Sequence, residues 1–163
     1  LKLWTGKASA MIIYDSNRDP FTDDALFNLV KGKRTIALIG FTTDGDVFGG
    51  FYSVAVTEQE EGFNDPNMFI FSFESHGRCK TPQRFVVNEE MKHFKYVYLD
   101  KNAAGKLVYI GRNAGGFYLG NEKSDSKCYS LSLCFEGIED TTLTGNTFPE
   151  SFTCTRLVAV YLE

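Results

Sequence analysis

The sequence predicts a mainly β (α+β) fold: a two-sheet antiparallel β-sandwich with a few short flanking helices. Three observations predict it. Aromatic residues make up 15% of the 163 residues, supplied mainly by fifteen Phe and eight Tyr, and such stiff, bulky side chains favour strands over helices. Nine or ten short β-prone runs follow one another between turn residues with little helix among them, the pattern of packed antiparallel sheets. No Pro/Ser-rich linker or internal repeat divides the chain, so residues 1–163 read as one domain, large enough to bury about two-thirds of its unfolded surface.

The elements justify themselves in order. Met11-Ile12-Ile13-Tyr14 reads as a short buried strand, followed by a polar turn from Asp15 to Pro20. Thr22 is a suitable helix N-cap, Asp23 and Asp24 complement the helix dipole, and Leu26, Phe27, Leu29 and Val30 give a short apolar face closed by Gly32. Thr35–Phe41 is apolar throughout, as in a strand covered on both faces, and Asp44-Gly45 then turns it into a second β-rich run, Val47–Val56. Within that run Gly49-Gly50 marks a bulge or a close backbone approach. Beyond an acidic loop, further strands are expected at Met68–Phe73, Gln83–Val87, Phe94–Leu99, Leu107–Gly111, Phe117–Leu119, Cys128–Phe135 and Phe152–Leu162, with a hairpin turn at 102–105. In Cys128–Phe135, strict alternation puts Tyr129, Leu131, Leu133 and Phe135 on one face.

Charge and cysteine usage narrow the function. The net charge of −4 is the wrong sign for a nucleic-acid binder, which must displace counterions with a surplus of Lys and Arg. Basic spots at Lys31–Arg34 and at Arg78, Lys80 and Arg84 read as solvated loop charge. No apolar run approaches the ~20 residues of a membrane helix, so no integral membrane segment is expected. The chain opens at Leu1-Lys2-Leu3-Trp4 without Met or a leader and is expected to be a mature piece or an excised domain. Cys79, Cys128, Cys134 and Cys154 form an even set, yet Cys128 and Cys134, in one strand at roughly 3.3 Å per residue, would lie about 20 Å apart. Free thiols and a reducing, cytoplasmic home are expected.

The residues of chemistry do not assemble into a motif. Only His76 and His93 are available as bases, the first in a loop and the second entering a strand, and no Gly-x-Ser-x-Gly elbow is present. The cysteines lack the short-spaced pairs of a zinc site. Asp15, Asn17, Asp19 and Asp23 match four positions of a calcium loop, but Pro20 and Leu26 stand where the loop needs Gly and a bidentate Glu. Gly111–Gly116 lacks the Gly-Lys-Ser/Thr ending of a phosphate loop. No catalytic residue, metal or cofactor is therefore expected.

Taken in order, the segments resemble the TLDc domain family. The resemblance begins at Trp4 and Met11–Asp19. It is sharpest at Asp44-Gly-Asp-Val-Phe-Gly-Gly-Phe51 and at Asp65-Pro-Asn-Met-Phe-Ile-Phe-Ser-Phe73, and it ends in the strand from Phe152. It departs from the family at Pro20, at Arg112–Gly116 and at Ala159. The resemblance implies a two-sheet sandwich, a role in oxidative-stress resistance, and binding and regulation of the vacuolar-type proton ATPase, peripheral to endomembranes. It brings no catalytic residues with it.

The leading expectation is a non-catalytic adaptor that binds a protein partner through its loops, with Arg18, Asp19, Asp44, Arg112 and Asn113 as candidate contacts. For each of these residues, turn formation is the competing explanation. A second hypothesis is thiol-based antioxidant chemistry at Cys79, whose thiolate Arg78 and Lys80 would stabilise. A third is a carbohydrate-binding sandwich, in which exposed Tyr would replace the platform that a single Trp4 supplies poorly.

Overall fold

A computed structural model of the chain describes all residues except Lys95, Asn102, Ala103, Asn113 and Ala114. Among the described residues, ten strands form two antiparallel sheets. The larger contains β1 (Ala10–Asp15), β2 (Ile36–Thr42), β3 (Val47–Tyr52), β4 (Phe69–Glu74), β5 (Gln83–Val86) and β10 (Cys154–Leu162), in the order β1-β10-β2-β3-β4-β5. The smaller contains β6 (Val97–Leu99), β7 (Lys106–Arg112), β8 (Gly115–Gly120) and β9 (Lys127–Cys128), in sequence order. Two short helices flank them, α1 (Lys2–Thr5) and α2 (Asp23–Val30).

The apolar run of β2 is explained by two cores. Ile36 and Leu38 point into the core between the sheets, while Ala37 and Ile39 join a second cluster on the outer face of the larger sheet. Phe51, Phe69, Phe71, Val158, Val160 and Leu162 complete that outer cluster. Trp4 of α1 lies on it, 6.1, 5.9 and 5.8 Å from the rings of Phe69, Phe71 and Phe73. Both faces of the central strands are thus withdrawn from water, which is why polar alternation is missing there.

Gly40 of β2 and Gly50 of β3 set the separation of the sheets. Neither Gly49 nor Gly50 is bulged, and both keep register with Ile39 and Leu38. A Cβ on Gly50 would come within 2.5 Å of Ile110 Cδ1, and one on Gly40 within 2.9 Å of Leu119 Cδ1. Close approach is the reason for these glycines, and it lets Phe48 meet Phe117 edge-on at 5.1 Å.

The helix over Asp23–Val30 forms as expected: Thr22 Oγ1 accepts from Ala25 N at 3.3 Å, and Gly32 takes the left-handed φ of 72°. Four expectations need correction. The strand read as buried at Met11–Tyr14 forms within β1, but β1 is an edge of the sheet and leaves Met11 and Ile12 exposed, with Tyr14 buried. The run Val47–Val56 stops at Tyr52, because the Ser53 N–H and hydroxyl both donate to buried Asp65 instead of extending the ladder. The strand expected from Phe94 starts at Val97, and His93 sits in a turn. The strand expected at Cys128–Phe135 ends at Cys128, and Leu131–Leu133 forms one 3₁₀ turn. Leu131, Cys134 and Phe135 are buried whereas Leu133 is 56% exposed, a helical i, i+3, i+4 pattern. The extended-strand distance between Cys128 and Cys134 therefore does not apply, although all four thiols are free. Of the turn expected at 102–105, Asn102 and Ala103 lie outside the described residues, but β6 and β7 do pair antiparallel around it.

Candidate functional site

Antiparallel pairing gathers several loops at one end of the larger sheet. Asp15 ends β1 opposite Val158, Cys154 begins β10 opposite Thr42, and Val47 begins β3 opposite Glu74. The Asp15–Pro20 turn, the Thr42–Asp46 hairpin tip and the Ser75–Arg78 turn therefore share that end.

Two buried carboxylates organise it. Asp15, 5% exposed, receives both arms of Arg156, Nε to Oδ1 at 2.9 Å and Nη2 to Oδ2 at 2.6 Å. It also accepts from Asn17 N at 3.1 Å, while its own N–H donates to Asp19 Oδ2 at 2.8 Å. The hydrogen bond from Arg156 holds the Asp15 carboxyl down to about 2. Tyr14 fixes the far side of the same turn by donating its hydroxyl to Pro20 O at 3.1 Å. Asp46, 2% exposed, accepts from Arg78 Nη2 at 2.5 Å and lies 3.0 Å from His76 Nδ1. Arg78 also donates from Nε to Thr142 O at 3.0 Å and from Nη2 to Leu143 O at 3.2 Å. The N–H groups of His76 and Ser75 donate to Glu74 and hold its carboxyl below the usual range.

These partners explain the acidic residues that mimic a calcium loop. Asp15 spends both oxygens on Arg156, while Asp19 Oδ2 accepts from the Asp15 N–H of the turn, and a carboxylate paired as Asp15 is paired is not offered to a cation. Among the described residues, no group of three or more His, Cys, Asp or Glu is placed to hold a metal ion.

Of the five candidate contacts, the structure brings Arg18, Asp19 and Asp44 to this one end. Arg18 and Asp44 are exposed, and Arg18 Nε is 3.7 Å from Asp15 Oδ2. Arg112 is elsewhere: its guanidinium lies 3.3 Å over the ring of Phe94, in the segment that leaves β5 at the opposite end of the sheet. Asn113 lies outside the described residues. Cys79 is half-buried, its N–H donating to Ser75 Oγ at 2.7 Å, and it borders a cleft of about 260 Å³ with Arg78, Glu139 and Thr142. Sequence reasoning missed Arg156 and the pairing of Asp46 with His76 and Arg78. A lone Arg entering the apolar run Leu157–Val160 was the available signal for Arg156.

The two distinctive motifs are used by the fold. Gly50 permits the sheets to approach, Gly49 leaves no room for a Cβ beside Leu38 O in the neighbouring strand, and Asp65 ties its own turn to the end of β3, accepting from Ser53 Oγ and Asn67 N at 2.9 Å each. A family model for the TLDc domain matches residues 4–156, nearly the whole chain. The chain belongs to the TLDc domain family. A comparison with curated proteins finds no match. In this TLDc domain the departure at Ala159 is buried in mid-strand, paired with Leu38, where a carboxylate would need a partner. No helix among the described residues is long and apolar enough to cross a membrane.

Proposed function

We propose that this TLDc domain is a non-catalytic protein-interaction module that meets its partner with the loop end of the larger sheet. As in characterised members of the family, that partner would be the vacuolar-type proton ATPase, in a setting of oxidative-stress resistance. The observation that carries the reading is the division of labour among charges at this end. Asp15 and Asp46 are buried and consumed by arginines, which leaves neither as a free base and holds the loops in fixed shape. Arg18 and Asp44 remain exposed on those rigid loops, so docking orders little that is mobile. The test is capture of proton-ATPase subunits from a lysate with the purified domain as bait. Arg18→Ala and Asp44→Ala should weaken capture without lowering Tm, and undiminished capture by both would remove this end from the interface. Arg112→Ala is the poorer probe, because it also strips packing from Phe94.

A specific observation supports a second reading, glycan binding. Tyr98, Tyr109 and Tyr118 stand in register across β6, β7 and β8 on the outer face of the smaller sheet. Tyr129 adds its ring 6.4 Å from Tyr109 and 6.3 Å from Tyr118, and Phe148 stacks on Tyr129 at 5.5 Å. Such a row supplies the aromatic surface that Trp4 alone does not. Binding on a glycan array that is lost in Tyr109→Ala would favour this reading, and an array without hits would end it.

A further inference from the structure

We propose that the cleft beside Trp4 is a docking site for an acidic peptide segment carrying an apolar anchor. The proposal rests on the protein-interaction reading but places a second contact away from the loop end. The cleft, about 570 Å³, opens between the N-terminal segment and the outer face of the larger sheet, within the size range of ligand-binding clefts. Trp4, Phe51, Met68, Phe69 and Val86 give it an apolar floor, beside polar lining from Thr35, Ser53 and Asn67. Val86 is 39% exposed although it sits on this floor.

Charge selects the occupant. Lys7, Arg84 and Lys92 line the cleft, and among the described residues no Asp or Glu does, in a chain whose net charge is −4. Lys92 pairs with Glu89 just outside, so Lys7 and Arg84 carry the local surplus. Arg84 Nη1 donates to Trp4 O at 2.8 Å, and its guanidinium stands 5.5 Å from the Phe69 ring. This single contact both holds the tryptophan over the cleft and keeps a cation at its mouth. A segment with one aliphatic or aromatic side chain between carboxylates satisfies both features: the anchor covers Val86 and Phe69, and the carboxylates meet Lys7 and Arg84.

Trp4 is the only tryptophan, so its fluorescence reports on this cleft alone. The probe is a blocked peptide with a Leu-Phe pair flanked by two Glu on each side, titrated into the intact chain, with a Gln-for-Glu peptide as control. A saturable change in Trp emission is expected, with affinity lower by about tenfold for the Gln peptide and for Lys7→Glu, and weaker at about 0.5 M salt than at about 0.05 M. Arg84→Gln should also bind less, but it releases Trp4 as well. Lys7→Glu, checked for unchanged Tm, is therefore the deciding variant. No saturable change, or equal binding of the Gln peptide, overturns the proposal. Displacement of the peptide's signal by laurate at lower concentration than the peptide itself requires also overturns it, in favour of a fatty carboxylate. Because Arg18→Ala leaves this cleft intact, loss of the peptide with partner capture still Arg18-dependent sinks this inference alone. Peptide binding without capture through the loop end sinks only the loop-end reading.

Discussion

Arg156 closes on Asp15 with two hydrogen bonds of 2.9 and 2.6 Å although 141 residues separate them in sequence. The pair clamps the turn after β1 to the start of β10, so it joins the first strand of the chain to the last, which lie side by side in the sheet. Removing Arg156 would leave the buried Asp15 charge poorly solvated, and removing the Asp15 charge leaves Arg156, its side chain a third exposed, without its partner. Asp15→Asn should cost about 2 kcal/mol at pH 7. The carboxyl is held at about 2, below its ordinary 3.8, so its contribution is complete above about pH 4 and is lost as pH falls through about 2. Denaturant melts at pH 7, 4 and 2 should show the gap between wild type and Asp15→Asn closing on acidification. A constant gap would exclude ionic pairing as its cause.

The glycines of β3 predict a contrast between neighbours. A Cβ at Gly50 meets the flexible end of Ile110, whereas one at Gly49 meets the backbone oxygen of Leu38 at 1.8 Å. Gly50→Ala should cost about 1–3 kcal/mol and be partly rescued by Ile110→Val, which removes the offending methyl. Gly49→Ala should cost more and gain nothing from that second change. Thermal melts of the four variants decide it.

The 3₁₀ turn predicts a second contrast. Leu131→Ala should lose about 2–5 kcal/mol as a buried truncation, and Leu133→Ala should stay within about 0.5 kcal/mol of wild type. A continuous strand would bury both, so equal losses would contradict the turn.

Burial separates the thiols. Cys128 and Cys154 are raised to about 12 and about 11 by desolvation, and Cys134 is raised as well. Near pH 8 a charged thiol reagent should therefore modify Cys79 alone in the folded chain and all four cysteines in denaturant. Raised pKa values also mean that the unfolded chain ionises first. The stability these thiols contribute is complete below about pH 9, the ordinary value, and declines as pH climbs towards their folded values. Two or more thiols modified at native rates would disprove the burial.

The sequence by itself determined what is local or periodic: the Thr22-capped helix, the Asp44-Gly45 hairpin, the doubly covered β2, the sandwich class and the motifs of the TLDc family. In each case neighbouring residues supply the physics, through a cap, a turn conformation or an apolar repeat. Tertiary structure alone decided the rest. Tyr129–Phe135 fits a strand by alternation and a helical turn by the spacing of Leu131, Cys134 and Phe135, and only packing selects between them. Asp15 and Asp46 read as turn formers or ligands until Arg156 and Arg78 arrive from distant segments to consume their charge. The cleft beside Trp4 was equally invisible, because its cations and its aromatic floor come from separate stretches of chain, and only the docking of α1 on the outer face of the sheet brings them together.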